Sequence, residues 1–567
     1  GREKRGPGTE ETPLLDPQTE KLPYVLERRE FLRHAAAGAA ALALQLSGAS
    51  PSGPGVAEGA VSGEQTGNRS HLARRQRQAT RYRNQAAKMA ARRNKPLLLL
   101  ANNGEELDYP YVGNFSKGLP HNGLGEVDHA AYEVLLRAVS SGNAADFDAI
   151  PLGLGRKLTS PQAGLAFDLQ GPDSHCVGLR PAPRIDGAEN SSEMTELYWM
   201  ALCRDVAFAD YASDAIVADA ADDLSAFSDF RGPAEGSSVT PHTLFRGTSA
   251  GNLVGPFLSQ FLLRDVPYGS LTISHRQRTI LPGLEYLTVF DDWLDAQNGA
   301  TAGPDAFDPT PRYIRNFRDL AQYVHVDALY EAYLNACLIL LGMGAPVDAG
   351  LPPVSSPNQN GFAEFGGPHI LSLVTEVSTR ALKAVWCQKW LVHRRLRPEE
   401  FGGRIHNHLT GRATHPIHDE VLSSPVLGRI HSRFGSYLLP QAFPEGCPTH
   451  PAYGSGHATV AGACVTILKA FFDESFVLAD PVVASADGTG LLPYVGPDLT
   501  VGGELNKVAA NIATGRNAAG IHWRTDFSEG LLLGEQVALG ILEEQKLAHN
   551  QPFTYTLTRF DGTTITI

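Results

Sequence analysis

The run YIRNFRDLAQYVHVDALYEAYLNACLILLGMG, from Tyr313 to Gly344, sets the first limit on the fold. Leu320, Val324, Leu329, Tyr333 and Cys337 recur at helical spacing, and Gly342 and Gly344 stand at the end as stop signals. The pattern predicts one long, buried helix. The same period marks SSEMTELYWMALCRDVAFADY from Ser191, SLVTEVSTRALKAVWCQKWLVHRRL from Ser372, ATVAGACVTILKAFF from Ala458 and DFSEGLLLGEQVALGILEEQ from Asp526. Alternation of the strand type is confined to short pieces such as FTYTLTRFDGTTITI at the carboxyl end, where Asp561-Gly562 suits a hairpin turn. The fold class is therefore mainly α with small β additions, and no internal repeat of fixed period is present.

A chain of 567 residues with 43% hydrophobic content has ample length for a large core. By length alone it accommodates about three or four domains, and one large helical domain fits as well. The formal charge of −13 argues against a nucleic-acid binder, because phosphate contacts require clustered Lys and Arg. Six cysteines (Cys176, Cys203, Cys337, Cys387, Cys447 and Cys464) include no CxxC pair, so neither a zinc site nor a disulfide-dense scaffold is indicated. Cys337 and Cys464 sit in apolar helical runs and read as core.

Residues 1–67 do not read as fold. RREFLRHAAAGAAALALQL, from Arg28, joins two arginines to Phe-Leu and an apolar run from Ala35 to Leu46 that is too short to span a bilayer. It resembles a bacterial twin-arginine export signal, and predicts a periplasmic or extracellular protein. Its alternative is an Ala-rich amphipathic helix. A linker rich in Gly, Ser and Pro follows, with a weak small-x-small pattern at Ser47-Gly48-Ala49. The acid-free segment RSHLARRQRQATRYRNQAAKMAARRNK from Arg69 suits a basic helix packed on the body or on another subunit better than a nucleic-acid arm.

Three segments in the last third place polar residues where an apolar core is expected. In KWLVHRRLRP, Lys389 and Arg397 are eight apart, which on a helix is about 12 Å and roughly 80° of rotation. Pro398 disfavours helical geometry at Arg397 and would end the helix there. Alone, this segment reads as a solvated basic face. In HPAYGSGHATVAG, from His450, Ser455 and Gly456 fall just ahead of an apolar helix whose first N–H groups favour an anion, with His457 beside them to exchange a proton. In GRNAAGIHWRTD, Arg516 and His522 flank Gly520, which lets backbones approach closely, and Asp526 either orients the His522 ring or caps the following helix. Lys389, Arg397, Arg516, Ser455 and the Gly456 N–H together suit a tetrahedral oxyanion such as phosphate or vanadate, with an imidazole to attack or coordinate its centre.

Lys-x7-Arg-Pro, Ser-Gly-His and Arg-x5-His, in that order, resemble the signature of vanadium-dependent haloperoxidases and of their relatives, the vanadate-inhibited acid phosphatases. Segments such as NGEELDYPYVGNFSKGLPH, GLAFDLQGPD, HPAYGSGHATVAGACVTILKAFFD and GELNKVAANIATGRNAAGIH resemble red-algal bromoperoxidase sequence, and the likeness runs from about residue 68 to the end. With the export-like segment, the chain resembles a bacterial-type homologue of that branch. The resemblance implies one helical domain over 68–567, built of paired four-helix bundles with minor β hairpins, its active site within 386–526. It implies that His522 holds vanadate, that Lys389, Arg397, Ser455, Gly456 and Arg516 neutralise its oxygens, and that His457 manages protons. The implied activity is oxidation of bromide, and iodide, by hydrogen peroxide to a hypohalous-acid species that halogenates organic acceptors, with Lys389 polarising the peroxide. The acid phosphatase is the alternative enzyme for the same pocket, and a non-enzymatic anion-binding or assembly protein is the third reading. His450 stands where bromoperoxidases carry histidine and tilts the substrate toward bromide. Trp386 replaces the arginine of red-algal members and is either a pocket-tuning residue or a core aromatic. Calcium, which red-algal members also bind, is set against PNQNGFAEFGG from Pro357, which lacks acidic residues used there. The implied assembly is a homo-oligomer, dimer-based and up to a dodecamer, with no nucleic acid and no membrane span.

Overall fold

The computed structural model describes residues 63–93, 101–300 and 303–567. The export-like segment from Arg28 and the linker after it lie outside the described residues. Contacts divide the chain into a unit up to Arg77 and a second from Gln78 to Ile567. The acid-free basic segment is helical, within α1 (Gly63–Arg93).

In the second unit the principal helices are α2 (Ala188–Leu202), α3 (Phe317–Val326), α4 (Glu331–Met343), α5 (Gly367–Cys387), α6 (Pro398–Leu409), α7 (Gly456–Phe471), α8 (Val501–Ala518) and α9 (Arg524–Ala548). Shorter helices and three antiparallel hairpins lie among them: β1 (Val266–Tyr268) with β2 (Leu271–Ile273), β3 (Val482–Ala484) with β4 (Leu491–Pro493), and β5 (Thr556–Thr558) with β6 (Thr564–Thr566). The last is the hairpin expected at the carboxyl end, turned by Gly562 at φ 85°. Among the described residues no single helix is long and apolar enough to cross a membrane.

Helix α7 is the axis of the core. All but His457 of its residues are buried, as an all-round apolar sequence requires, and it packs against α5, α8 and α9. Small residues bring α7 and α9 into backbone contact. A Cβ on Gly462 would strike the Leu531 carbonyl, and one on Gly534 would strike the Thr459 carbonyl and the Ala463 amide. Cys337 and Cys464 are fully buried, as expected, and no disulfide joins the six cysteines.

Three expectations about helix limits are corrected. The run from Tyr313 is not one helix: α3 and α4 meet at an angle of 99°. Asp327 takes extended geometry (φ −63°, ψ 151°) after α3, and the Ala328 amide bonds the Glu331 carboxylate instead of continuing the spiral. The corner places the Asp327 carboxylate against His457 Nε2 at 3.0 Å, which gives it a hydrogen-bonded partner. The run from Ser191 is helical only to Leu202, with Cys203 as its cap. The run from Ser372 does not continue to Pro398. Past α5 it widens into a π turn, Gln388–His393, and stops at Arg394, which is left-handed at φ 42° and held by Glu106 through a 2.9 Å Nε bond. Arg397 is extended, as the residue before proline favours, but Pro398 opens α6 rather than closing the preceding helix.

Gly534→Ala tests the α7–α9 contact. Helix propensity alone would stabilise the variant by about 1 kcal/mol, whereas the collision costs about 1–3 kcal/mol. The expected result is a lower midpoint of thermal unfolding, and an unchanged or raised midpoint would refute the close approach.

Candidate active site

Four chain ends converge on one pocket: the π turn after α5, the start of α7, the end of α8 and the loop leading into α9. Arg397, with no exposed surface, is the hub. Its Nε donates to the His450 carbonyl (2.9 Å), its Nη1 to the Ile521 carbonyl (2.7 Å) and to His522 Nε2 (3.0 Å), and its Nη2 to His450 Nδ1 (3.0 Å) and the His450 carbonyl (2.8 Å). The extended backbone before Pro398 is what lets this side chain leave the helix path and reach three loops at once.

His522 is 1% exposed. Its Nδ1 donates to Asp526 Oδ2 at 2.7 Å, which fixes the tautomer and leaves Nε2 with a lone pair toward Arg397. Burial, then the charges of Arg397, Lys389 and Arg516, push its pKa well below the ordinary histidine range, so the ring is neutral. Asp526 fills both of its expected roles, since Oδ2 also accepts the Trp523 amide (3.1 Å) at the start of α9. Gly520, at φ 86°, makes the preceding turn possible, because a Cβ there would lie 2.7 Å from Gln441 Nε2 and 3.1 Å from the Pro440 carbonyl.

Lys389 is fully buried, and its Nζ donates to the Pro451 and Ala452 carbonyls at 2.8 Å each. A lysine ammonium has three donors, so one remains for the pocket. Arg516, in the last turn of α8, donates to the Val324 carbonyl, stands 5.6 Å from the Phe443 ring centre, and has an Nε with no partner. Lys389 and Arg397 do not stand on one continuous helix, the geometry expected from their spacing; they come from either side of the reversal at Arg394. A solvated basic face is excluded, because all three cations are buried. Among the described residues, none of the three has a carboxylate oxygen within 4.0 Å. Burial first, and neighbouring cations next, push the Lys389 pKa well down; burial likewise lowers Arg397, and brings Arg516 to about 10.

Ser455 caps α7, with Oγ accepting the Ala458 amide (3.4 Å) and its own N–H bonded to the Asp526 carbonyl (2.8 Å). The Gly456 and His457 amides lie in the first turn and have no intrahelical acceptor. A Cβ on Gly456 would come within 3.1 Å of Trp386 Cζ3, so glycine permits the indole to sit against this terminus. Trp386 is half-buried, its Nε1 bonded to the Thr159 carbonyl (3.1 Å), its ring 5.7 Å from Lys389 Nζ and 4.7 Å from the His450 ring. It borders the pocket as well as the core, so both readings of this residue hold in part.

His457 bonds Asp327 Oδ1 through Nε2 at 3.0 Å. Burial lowers the His457 pKa, Asp327 opposes that, and Arg516 adds to it. Burial raises the Asp327 carboxyl, and the His457 ring more than offsets this, holding it below the usual range. Asp327 was missed in the sequence, although an acid between Val326 and Ala328 in an apolar run was its signal. Arg395 was missed too. Its Nη1 donates to Asp526 Oδ1 at 3.0 Å and its Nη2 to Glu193 at 2.8 Å, so it holds the carboxylate that holds His522. Among the described residues no group of three or more His, Cys, Asp or Glu side chains could hold a metal ion.

The structure joins Arg397 directly to His450 and His522, sets Trp386 against Lys389, His450 and Gly456, and ties Ser455 to the Asp526 that holds His522. A family model described as the VCPO second helical-bundle domain matches residues 425–550, which include Ser455, His457, Arg516 and His522. The vanadium-dependent bromoperoxidase of Corallina pilulifera is 40% identical over 563 residues, covering 82% of this chain and 94% of its own. That of Ascophyllum nodosum is 36% identical over 82% of this chain and 87% of its own. Among solved structures, the homohexameric second vanadate-dependent bromoperoxidase of Ascophyllum nodosum superposes with a TM-score of 0.82 at 29% identity, covering 92% of this chain and 95% of that one. With a likeness that spans the helical body and both sides of the pocket, the chain belongs to the vanadium-dependent bromoperoxidase family.

Proposed function

We propose that this protein is a vanadate-dependent peroxidase that uses hydrogen peroxide to oxidise bromide, and iodide, to a hypohalous-acid species that halogenates organic acceptors. The observation that carries the reading is the set of three buried cations, none with a carboxylate partner, around one neutral imidazole nitrogen. Burying a charge without a counter-ion costs several kcal/mol, and an oxyanion supplies that counter-ion. The donor set fits vanadate: guanidinium forks and an ammonium for its oxygens, and a lone pair on His522 Nε2 for its centre. Vanadate bound there would supply a Lewis-acidic centre that activates peroxide for attack by halide without changing oxidation state.

The roles of the protein's own groups follow from their bonds. Lys389, Arg397, Arg516, Ser455 and the Gly456 amide hold the anion, and the remaining Nζ donor of Lys389 polarises peroxide. With Nε2–H given to Asp327, His457 has Nδ1 as its basic atom and takes the proton that peroxide releases. Asp327 is a positioning residue that fixes this tautomer and steadies the imidazolium. His450 and Trp386 border the halide path. A phosphatase would use the same cradle, with His522 as nucleophile, but the relatives over most of the chain are bromoperoxidases and do not favour it. A homo-oligomer belongs to this reading, the structural relative being a homohexamer, and the segment from Arg28 supports export.

The decisive assay compares protein loaded with vanadate or with phosphate in peroxide-dependent bromination of a phenol or a diketone. Bromination with vanadate is expected; its absence, alongside turnover of p-nitrophenyl phosphate by the unloaded protein, would sink the proposal. His450→Ala is expected to lower bromide turnover while vanadate stays bound, and unchanged bromination would count against its role. Asp327→Asn removes the charge that raises the His457 pKa, so the acid limb of the pH–rate profile is expected to move to lower pH. The rate should fall by part of the ~10²–10⁴-fold that general acid–base catalysis contributes. A profile of unchanged shape would show that Asp327 only fills space.

A further inference from the structure

The five tryptophans of the chain, all among the described residues, divide by exposure. Trp199, Trp293, Trp390 and Trp523 are at most 1% exposed, whereas Trp386 is half-buried. Its six-membered ring lies against the start of α7, where a Cβ on Gly456 would stand 3.1 Å from Cζ3 and 3.6 Å from Cη2. The ring is 4.7 Å from the His450 ring and 5.7 Å from Lys389 Nζ. The one partly accessible indole therefore stands against groups of the anion cradle.

An indole is among the most easily oxidised side chains, and electrophilic bromine attacks it at the pyrrole carbons. Trp386 Nε1 donates to the Thr159 carbonyl at 3.1 Å, which pushes electron density into the ring. The Lys389 ammonium opposes this, and an oxyanion beside Lys389 would offset the opposition. The nearest sulfur in sequence is closed off: Cys387 is 3% exposed, and burial pushes its thiol up to about 11, so it stays protonated. Among the described residues the partly exposed sulfur side chains are Met89, Cys176 and Met343, which react with hypobromous acid at least as fast as an indole and so report acid that has reached solvent.

We infer that Trp386 is a modification site, oxidised during turnover to oxindolylalanine by hypobromous acid formed in the adjoining pocket, an inference that rests on the proposed activity. Bromine bonds Cγ with the ring's electron pair, and hydroxide leaves. Water adds at Cδ1, the C–Br bond breaks to release bromide, and two protons are shed, one of which neutralises the hydroxide. The indole loses two electrons and bromine gains them. The product carries a carbonyl at Cδ1 and no longer offers an aromatic pyrrole ring to Lys389, so the pocket wall changes with the number of turnovers.

The test gives vanadate-loaded protein hydrogen peroxide and bromide in heavy-oxygen water, with excess free methionine to consume acid that escapes, and reads tryptic peptides by mass spectrometry. The peptide bearing Trp386 should gain one labelled oxygen atom, placed on the indole by its fragments, in proportion to turnover and only with bromide present. The peptides of the four buried tryptophans should gain none, and reagent hypobromous acid added with the same methionine should leave Trp386 unmarked. An unmarked Trp386 in protein that brominates a phenol in a parallel sample without methionine would overturn the inference and leave the activity standing. Absence of phenol bromination would instead overturn the activity on which it rests. Unlabelled oxygen, taken from peroxide, would overturn the route through hypobromous acid, and a mark abolished by free methionine would show attack from solvent and overturn the inference as well.

Discussion

The structure is organised around a charge that the protein does not neutralise. Lys389, Arg397 and Arg516 are buried together, yet each donates only to carbonyls and imidazoles. Acids are not scarce nearby; they are held one layer out, each already engaged. Asp526 serves His522 and Arg395, Glu399 pairs with Lys117 at 2.6 Å, Glu400 takes the Arg397 and Ser116 amides, and Asp327 takes His457. This layering keeps the inner shell positive and neutral-donor only. Most of these carboxylates have more than one partner, Glu399 also accepting Gln297 Nε2 at 2.7 Å, which holds them in the outer layer.

That layering is made possible by where the helices end. Lys389 lies in a π turn, Arg397 just before α6, Ser455 and Gly456 at the start of α7, Arg516 in the last turn of α8, and His522 two residues before α9. A helix interior satisfies its own backbone and points side chains around an axis. Helix ends instead offer free amides and carbonyls, and let side chains from different directions meet. The packing of α7 against α5, α8 and α9, tight enough in places to require glycine, is what fixes those ends to one another.

Much of this was legible in the sequence. Residue types identified the cradle, because Lys, Arg and His are rarely enclosed by apolar helices unless paired or used, and the apolar periods of α7 and α9 marked the central helices. What escaped was the geometry of breaks. The residue before a proline is biased to extended backbone, which held for Arg397, but that bias does not say whether proline ends one helix or opens the next. The chain did the second, after stopping four residues sooner at Arg394. Periodicity likewise ran straight through Asp327, since Leu320, Val324, Leu329 and Tyr333 keep a helical rhythm across a 99° bend. The corner serves Asp327, whose partner, His457, lies 130 residues away and so outside the reach of any local pattern.

Arg397 links the His450 ring to the His522 ring. Its Nη1 meets the His522 lone pair while its Nη2 meets His450 Nδ1, so one guanidinium orients both rings. The same lone pair cannot both accept a hydrogen bond and hold an anion, so on the proposed reading an anion at His522 would displace Nη1 and free its donor for the anion. The Nε and Nη2 bonds to the His450 carbonyl need not change in that exchange. The guanidinium would then pivot about the His450 backbone, and the His450 imidazole is tied to that pivot. A residue at 450 without a ring nitrogen would leave the carbonyl hinge intact and remove only the side-chain brace. On the proposed reading, retention of the anion and tuning of the halide would thus be separable at a single guanidinium, with backbone governing the first and side chain the second.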